Sequence, residues 1–386
     1  MTPGPVGLDS SPDIRVLLFE KQTASRLTTS GPLTVRSLPD GAQARFAEAA
    51  DLEVAWFHGR IAVGEHVFSG TVEIAPADHQ AGLDGASYRG RLSLVPTPDE
   101  EGFQVVNIVP LESYLAGVVG AEMPAYWEAS ALESQAIASR TYAMYHVRRY
   151  GPGRTYDVRK TEGYQVYRGV GAETARVWEA VEATRGIVLT TGDASGDEGE
   201  DVAVFPAYFC SACGGHTEAA WRVFGVGEIA PLGGVRCPWC RQTSRPSVFE
   251  WSAVRLKVED VWKRLRTHYP SLERLGGLEA IEPMEISRYD DFVRLTKVNL
   301  IGRNGQRQWL EAENLRLAVD PTGRTLRSSA FAVRREGEVF VFEQGRGFGH
   351  AVGMCQYGAL GMARAGKTAA EILAWYYPGS RQVRLY

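Results

Sequence analysis

Apolar and polar positions recur along this chain at two different periods. From Ile14 to Asn107 the period is two. The runs IRVLLFE, LTVRSL, LEVAWFHG, HVFSGTVEIA, YRGRLSLVPT and FQVVNIV are rich in β-branched and aromatic residues and are separated by turns. That pattern predicts strands. PTPDEEG, between the last two runs, reads as a solvated hairpin tip. The period then lengthens. A helix is predicted from near Pro124–Trp127 to about Tyr150, stopped by Gly151-Pro152-Gly153. A second is predicted over about Ala172–Thr184. GIVLTT and VAVFPAYF read as strands on either side of GDASGDEGED, an acidic stretch whose carboxylates lack EF-hand spacing and which reads as a hairpin tip. Residues 249–269 give a strand-like start and an amphipathic helix around Val258–Tyr269. From Ile281 to Phe342 the runs EPMEISRYD, FVRLTKVNLIG, RQWLEAENLRLAV, SSAFAVRREG and EVFVFEQG are again β, with Asn304-Gly305 at a tight turn. Two helices, about Cys355–Ala365 and Ala369–Tyr376, precede a last strand. The second opens on the capping-box pattern Thr368-x-x-Glu371.

The expectation is an α+β fold: β-rich N- and C-terminal segments around a central helical and zinc-knuckle part, with one substrate cleft. The segments are a disordered leader (1–13), a β-rich N-terminal segment (14–107), a core (108–248), and a β-rich segment with C-terminal helices (249–386). They are stretches of one chain and not independent folding units.

Composition narrows the function classes. An apolar fraction of 44% with 23% charged residues is ordinary for a globular protein. A net charge of -4 provides no electrostatic footprint for nucleic acid. No run is long and apolar enough to cross a bilayer. MTPGPVGLDSSPDIRV has neither the basic nor the apolar region of a signal peptide.

Three features carry candidate chemistry. Glu122 sits on a short apolar run ahead of a helix rich in small residues, where it either caps that helix or serves as a proton donor. Cys210-x-x-Cys213 and Cys237-x-x-Cys240 have the spacing of two zinc knuckles. Two such turns complete a tetrahedral four-sulfur shell, which is closed and therefore structural. Disulfides are the competing reading, particularly in an exported chain. The fifth cysteine, Cys355, has no CxxC partner; a nucleophilic pairing with His350 is conceivable. Third, EQGRGFGHAVGMCQYGA alternates glycines without the spacing of a dinucleotide or phosphate loop. Its backbone lies against a sugar ring, with His350 and Gln356 as hydrogen-bonding groups, or is a strand-to-helix connector with His350 in the core.

ESYLAGVVGAEMP followed by ALESQAIASRTYA, then GYQVYRG, CSACGGHTE, GRGFGHAVGMCQYGALGMA and AAEILAWYYPGS, resembles in order the signature blocks of the stage II sporulation protein D (SpoIID/LytB) family. The resemblance implies a peptidoglycan lytic transglycosylase that cleaves the MurNAc-GlcNAc bond of peptide-free glycan strands, with Glu122 at the catalytic position. It implies substrate contacts at Gln135, Arg140, Gln165, Tyr167, Ser211, His350 and Gln356, with Gln135 and Arg140 alternatively orienting Glu122. Arg140 serves equally well as a structural partner for carbonyls. Zinc near the GGHT segment also belongs to the family. With four cysteines available, His216 is expected behind the ligands or at the surface, although a Cys₃His shell stays open. The family more often has Ser at the position of Cys355. Hydrolytic glycosidases use two carboxylates. Only one well-placed acid is visible here, which suits a reaction whose nucleophile is the substrate's own C6 hydroxyl. Glu122 would then need a raised pKa, which burial against Val118, Val119 and Met123 can supply and a helix N-terminus would oppose. The alternative is a non-catalytic cell-wall glycan-binding protein or amidase enhancer. A cell-envelope location and an amidase partner follow from the same resemblance.

Overall fold

The computed structural model describes residues 11–161, 163–191 and 203–386, so the acidic stretch GDASGDEGED lies outside the described residues. The chain is α+β, as its two periods predict, and divides into two compact units. The first comprises residues up to Pro206 together with Gln382–Tyr386; the second is Ala207–Arg381.

Unit one opens with two antiparallel-rich sheets. One runs, in spatial order, Val158–Arg159, Asp13–Gln22, Phe103–Pro110, Arg91–Pro96, Val72–Pro76, Leu33–Ser37 and Gln43–Phe46. The other runs Ala86–Arg89, Gln80–Leu83, Ala24–Thr29, Ala50–Phe57, Arg60–Val63 and His66–Phe68. Alternation decides which face is buried: in Ala24–Thr29 the side chains of Ser25, Leu27 and Thr29 are inside and those between them outside.

Three helices follow: α1 (Leu111–Glu122), α2 (Ala129–Tyr150) and α3 (Ala175–Ala183). The sequence pattern missed α1. Every residue from Leu111 to Val119 is buried, so the helix has no polar face and leaves no helical period to read. Its small residues are needed for close approach: a Cβ on Gly117 would lie 2.6 Å from the Tyr167 ring. α2 carries Arg148 and Arg149 at its carbonyl end and is closed by Gly151 at φ 48. α3 is capped by the Thr174 side chain, which accepts from the Val177 N–H.

A buried ion pair ties these helices together. Arg140 on α2 and Glu112 on α1 have no exposed side-chain surface and meet through two bonds, Nε–Oε1 at 2.9 Å and Nη2–Oε2 at 2.7 Å. Arg140 also donates to the carbonyls of Ile187 and Val181. Glu112 accepts from the Gly186 N–H and the Tyr386 hydroxyl. The last residues of the chain thus return to unit one, where Arg381–Arg384 pairs with Ile187–Thr190. The described part of the predicted strand VAVFPAYF, residues 203–209, is mostly irregular: Val204 forms an isolated bridge to Thr190, and strand resumes at Phe209–Cys210.

Unit two has its own apolar core. The amphipathic helix Val258–His268 sets Val258, Val261 and Leu265 against Leu278, Leu295, Val298 and Leu300 of a three-stranded sheet. The run 307–319, predicted wholly β, splits into the strand Arg307–Glu311 and the helix Ala312–Val319. Ala312, Leu315, Ala318 and Val319 recur at three- and four-residue spacing, and all are buried in that core. The capping box before Ala369–Tyr376 forms with both its bonds. Among the described residues no helix is long and apolar enough to cross a membrane.

Candidate functional site

Glu122 is the last residue of α1 and is partly exposed. It therefore caps no helix N-terminus, and the expected helix-start effect on its charge does not apply. The carbonyl end of α1 disfavours a negative charge there. A hydrogen bond acts the other way: the Val166 N–H donates to Glu122 Oε1 at 2.8 Å.

The GYQVYRG segment thus borders the carboxyl, but through its backbone. The named side chains on either side of Val166 turn into the protein. Gln165 is buried, accepts from the Tyr114 hydroxyl at 3.0 Å and donates to the Ser139 carbonyl at 3.3 Å. Tyr167 is buried and donates to Asn107 Oδ1 at 2.9 Å. Gln135 is wholly buried and donates to Ser139 Oγ at 2.9 Å. Arg140 is locked to Glu112 and to carbonyls, the structural alternative of the two roles open to it. With so little exposed surface, these four side chains form the bed that carries α1 and the 164–169 segment. The Val166 N–H was invisible in sequence because a backbone donor has no residue signature. On α2, the His146 ring lies 4.5 Å from Tyr142 and 5.2 Å from Tyr164. Its Nδ1 has no hydrogen-bond partner among the described residues, and burial lowers its pKa to about 4.

In unit two the cysteines assemble in a different set from the two CxxC pairs. Cys213, Cys237, Cys240 and Cys355 are all buried, with their sulfurs within 4.8 Å of one another. Cys210 is outside this group, and Cys355, which has no CxxC partner in the sequence, replaces it. The reason is topological. Phe209–Cys210 pairs in parallel with Met354–Cys355, which brings Cys355 to the first knuckle, where the Cys213 N–H meets its sulfur at 3.3 Å. His216 is not in the group either: its Nδ1 lies 2.6 Å from the Thr217 carbonyl oxygen and its ring stacks on Tyr289.

The four sulfurs fit a divalent metal. Zn–S bonds of about 2.3 Å place tetrahedral sulfurs roughly 3.8 Å apart, and Cys213 and Cys240 are 3.8 Å apart. Burial pushes the Cys213 and Cys355 thiols well above their usual range, so they ionise only with a cation among them. Arg294 makes the same case from the other side. It is wholly buried, donates Nη2 to the Cys213 carbonyl at 2.6 Å, and leaves Nε and Nη1 without hydrogen-bond partners among the described residues. A buried cation so poorly paired is costly. Four thiolates around a divalent ion carry a net negative charge that would offset it.

The glycine-rich loop is explained by the chain itself. A Cβ on Gly353 would lie 1.9 Å from the Tyr208 carbonyl oxygen. Bridges Ala212↔Phe348 and Glu218↔Val352 lace the loop to the cysteine segment. The sugar ring invoked for these glycines is not needed to account for them. His350 is partly exposed, accepts from the Val352 N–H at 2.9 Å, and is held neutral by desolvation with a pKa of about 4. Gln356 begins a helix and is buried; Ser211 is partly exposed.

An α+β chain with a carboxyl at a helix end and a buried tetrathiol cluster is what these residues define. The family model described as Stage II sporulation protein matches residues 99–191, which include Glu122 and Val166. An uncharacterized protein of Brachyspira hyodysenteriae is 33% identical over 298 residues, 77% of this chain and 72% of the relative. Stage II sporulation protein D of Bacillus subtilis is 28% identical over 295 residues, 72% of this chain and 76% of the relative. The Amidase enhancer of Bacillus subtilis is 26% identical over 332 residues, 77% of this chain and 44% of the relative. The chain belongs to the stage II sporulation protein D family.

Proposed function

We propose that this protein works on the cell wall as a lytic transglycosylase, cleaving the MurNAc-GlcNAc bond of peptide-free glycan strands. The observation that carries the reading is the placement of Glu122: a partly exposed acid at the end of a helix buried from Leu111 to Val119, held by the Val166 N–H. Protonated Glu122 donates to the glycosidic oxygen as the bond to the anomeric carbon breaks. The muramic acid C6 oxygen then bonds to that carbon, and its proton passes to Glu122. One 1,6-anhydro end and one free 4-hydroxyl result, and the carboxyl returns to its starting state. Glu112, the neighbouring acid on α1, is committed to Arg140 and takes no part.

Cys213, Cys237, Cys240 and Cys355 would hold a structural zinc ion in this reading. It supplies no chemistry to the reaction and clips the cysteine segment to the glycine-rich loop. Action on peptidoglycan places the protein outside the cytoplasm.

The relative named Amidase enhancer supports a second reading, in which the chain binds glycan and stimulates a cell-wall amidase without cutting. Incubation with peptide-free glycan in ¹⁸O-water separates the two. The lytic reading expects anhydro ends without label; intact glycan, or labelled reducing ends, overturns it.

A further inference from the structure

Unit two contains a concave site that the reading above does not use. A cavity of about 610 Å³ is bounded by the first knuckle at Gly214–His216, the second at Arg236–Pro238 with Arg241, and a hairpin tip at Arg288–Phe292. Its volume is in the range of small-ligand sites.

Three observations say what it would take. The first is charge. Arg236, Arg241 and Arg288 line the cavity against Asp290 and Asp291. Asp291 is already held by Arg346 at 2.8 Å and approached by Arg241 at 3.5 Å, and those cations lower its pKa. Arg236 reaches Asp290 only at 4.0 Å. Among the described residues the Arg288 guanidinium makes no hydrogen bond or ion pair. The second is backbone. The N–H groups of Gly214 and Gly215 donate to no acceptor among the described residues. Unpaired N–H groups and a spare guanidinium together suit an oxygen anion. The third is shape. His216 and Tyr289 stack at 4.1 Å with their planes 18° apart, and Phe292 follows at 4.9 Å from Tyr289. Stacking covers the faces these rings turn to one another, so the stack meets a ligand with its outer face and ring edges, an apolar rim for one side of a sugar ring.

We propose that this cavity binds a carboxylate-bearing sugar residue of a glycan, with Arg288 pairing the carboxylate and the His216–Tyr289 rings lying against the sugar. The proposal rests on the peptidoglycan reading for its ligand: removal of the peptide leaves a free lactyl carboxylate on each muramic acid. The cavity would thus recognise the group that distinguishes a stripped strand from a substituted one.

The test uses the full chain carrying Glu122→Gln, titrated calorimetrically with a peptide-free muramic acid tetrasaccharide and with the same compound converted to methylamides. The acid form is expected to bind about tenfold more tightly, as loss of one charged contact implies. Arg288→Gln, at an exposed position, is expected to erase that preference while leaving the melting temperature unchanged. Equal affinity for the two compounds, binding of neither, or a preference that survives Arg288→Gln overturns the proposal. Product formation by the unmodified chain is scored separately. Anhydro ends without a carboxylate preference defeat only the cavity assignment. A preference in a Glu122→Gln protein that still cuts defeats only the acid role.

Discussion

At the scale of single residues, the cysteines show how spacing and space diverge. The motif assigns Cys210, whereas the fold gathers Cys213, Cys237, Cys240 and Cys355. No local rule could have named Cys355, because a parallel bridge far along the chain delivers it. The two alternatives have different consequences for metal content. Cys355→Ser is expected to cut bound zinc from one equivalent to well under half and to lower the melting temperature, and Cys210→Ser to leave one equivalent bound. Elemental analysis of both purified variants checks this; the reverse pattern would restore the CxxC set. Glu122 was legible as a lone acid on an apolar run, but its contact with Val166 was not, because Val166 contributes only a backbone N–H.

At the scale of elements, legibility followed amphipathicity. Strands with one wet face, the helix Val258–His268 and the capping box could be read because polar and apolar residues alternate at a fixed period. The helix α1 could not, since burial on all sides removes the period. Its hold on α2 through Glu112 and Arg140 was open in sequence, where Arg140 served substrate and scaffold equally well. Removing one partner of a buried pair strands the other charge. Arg140→Met is therefore expected to cost about 3–5 kcal/mol of stability. Removal of the Tyr386 hydroxyl by Tyr386→Phe should cost about 1–3 kcal/mol, since that bond is made to a carboxylate. Urea unfolding of the two variants measures both. An Arg140→Met protein as stable as the parent but inactive would instead favour a catalytic role for the guanidinium.

At the scale of the whole molecule, the α+β class was readable, and the division into two units was not. The cut falls between Pro206 and Ala207, inside a run that reads as one strand, and the last residues rejoin the first unit. Neither event changes the local pattern. Buried histidine adds a pH dependence. The pKa of His146 falls from 6.5 to about 4 on folding because burial disfavours its charged form. The unfolded chain then binds more protons between those values, so stability is full above pH 6.5 and declines as pH falls toward 4. Denaturation midpoints between pH 7.5 and 5, flatter in His146→Gln than in the parent, are the expected result.

The central claim is that one carboxyl performs both proton transfers. Its most direct measurement is the rate of 1,6-anhydro end formation from peptide-free glycan by the parent and by Glu122→Gln, followed by mass spectrometry. A folded Glu122→Gln protein is expected to be slower by about 100-fold or more; an undiminished rate would contradict the account.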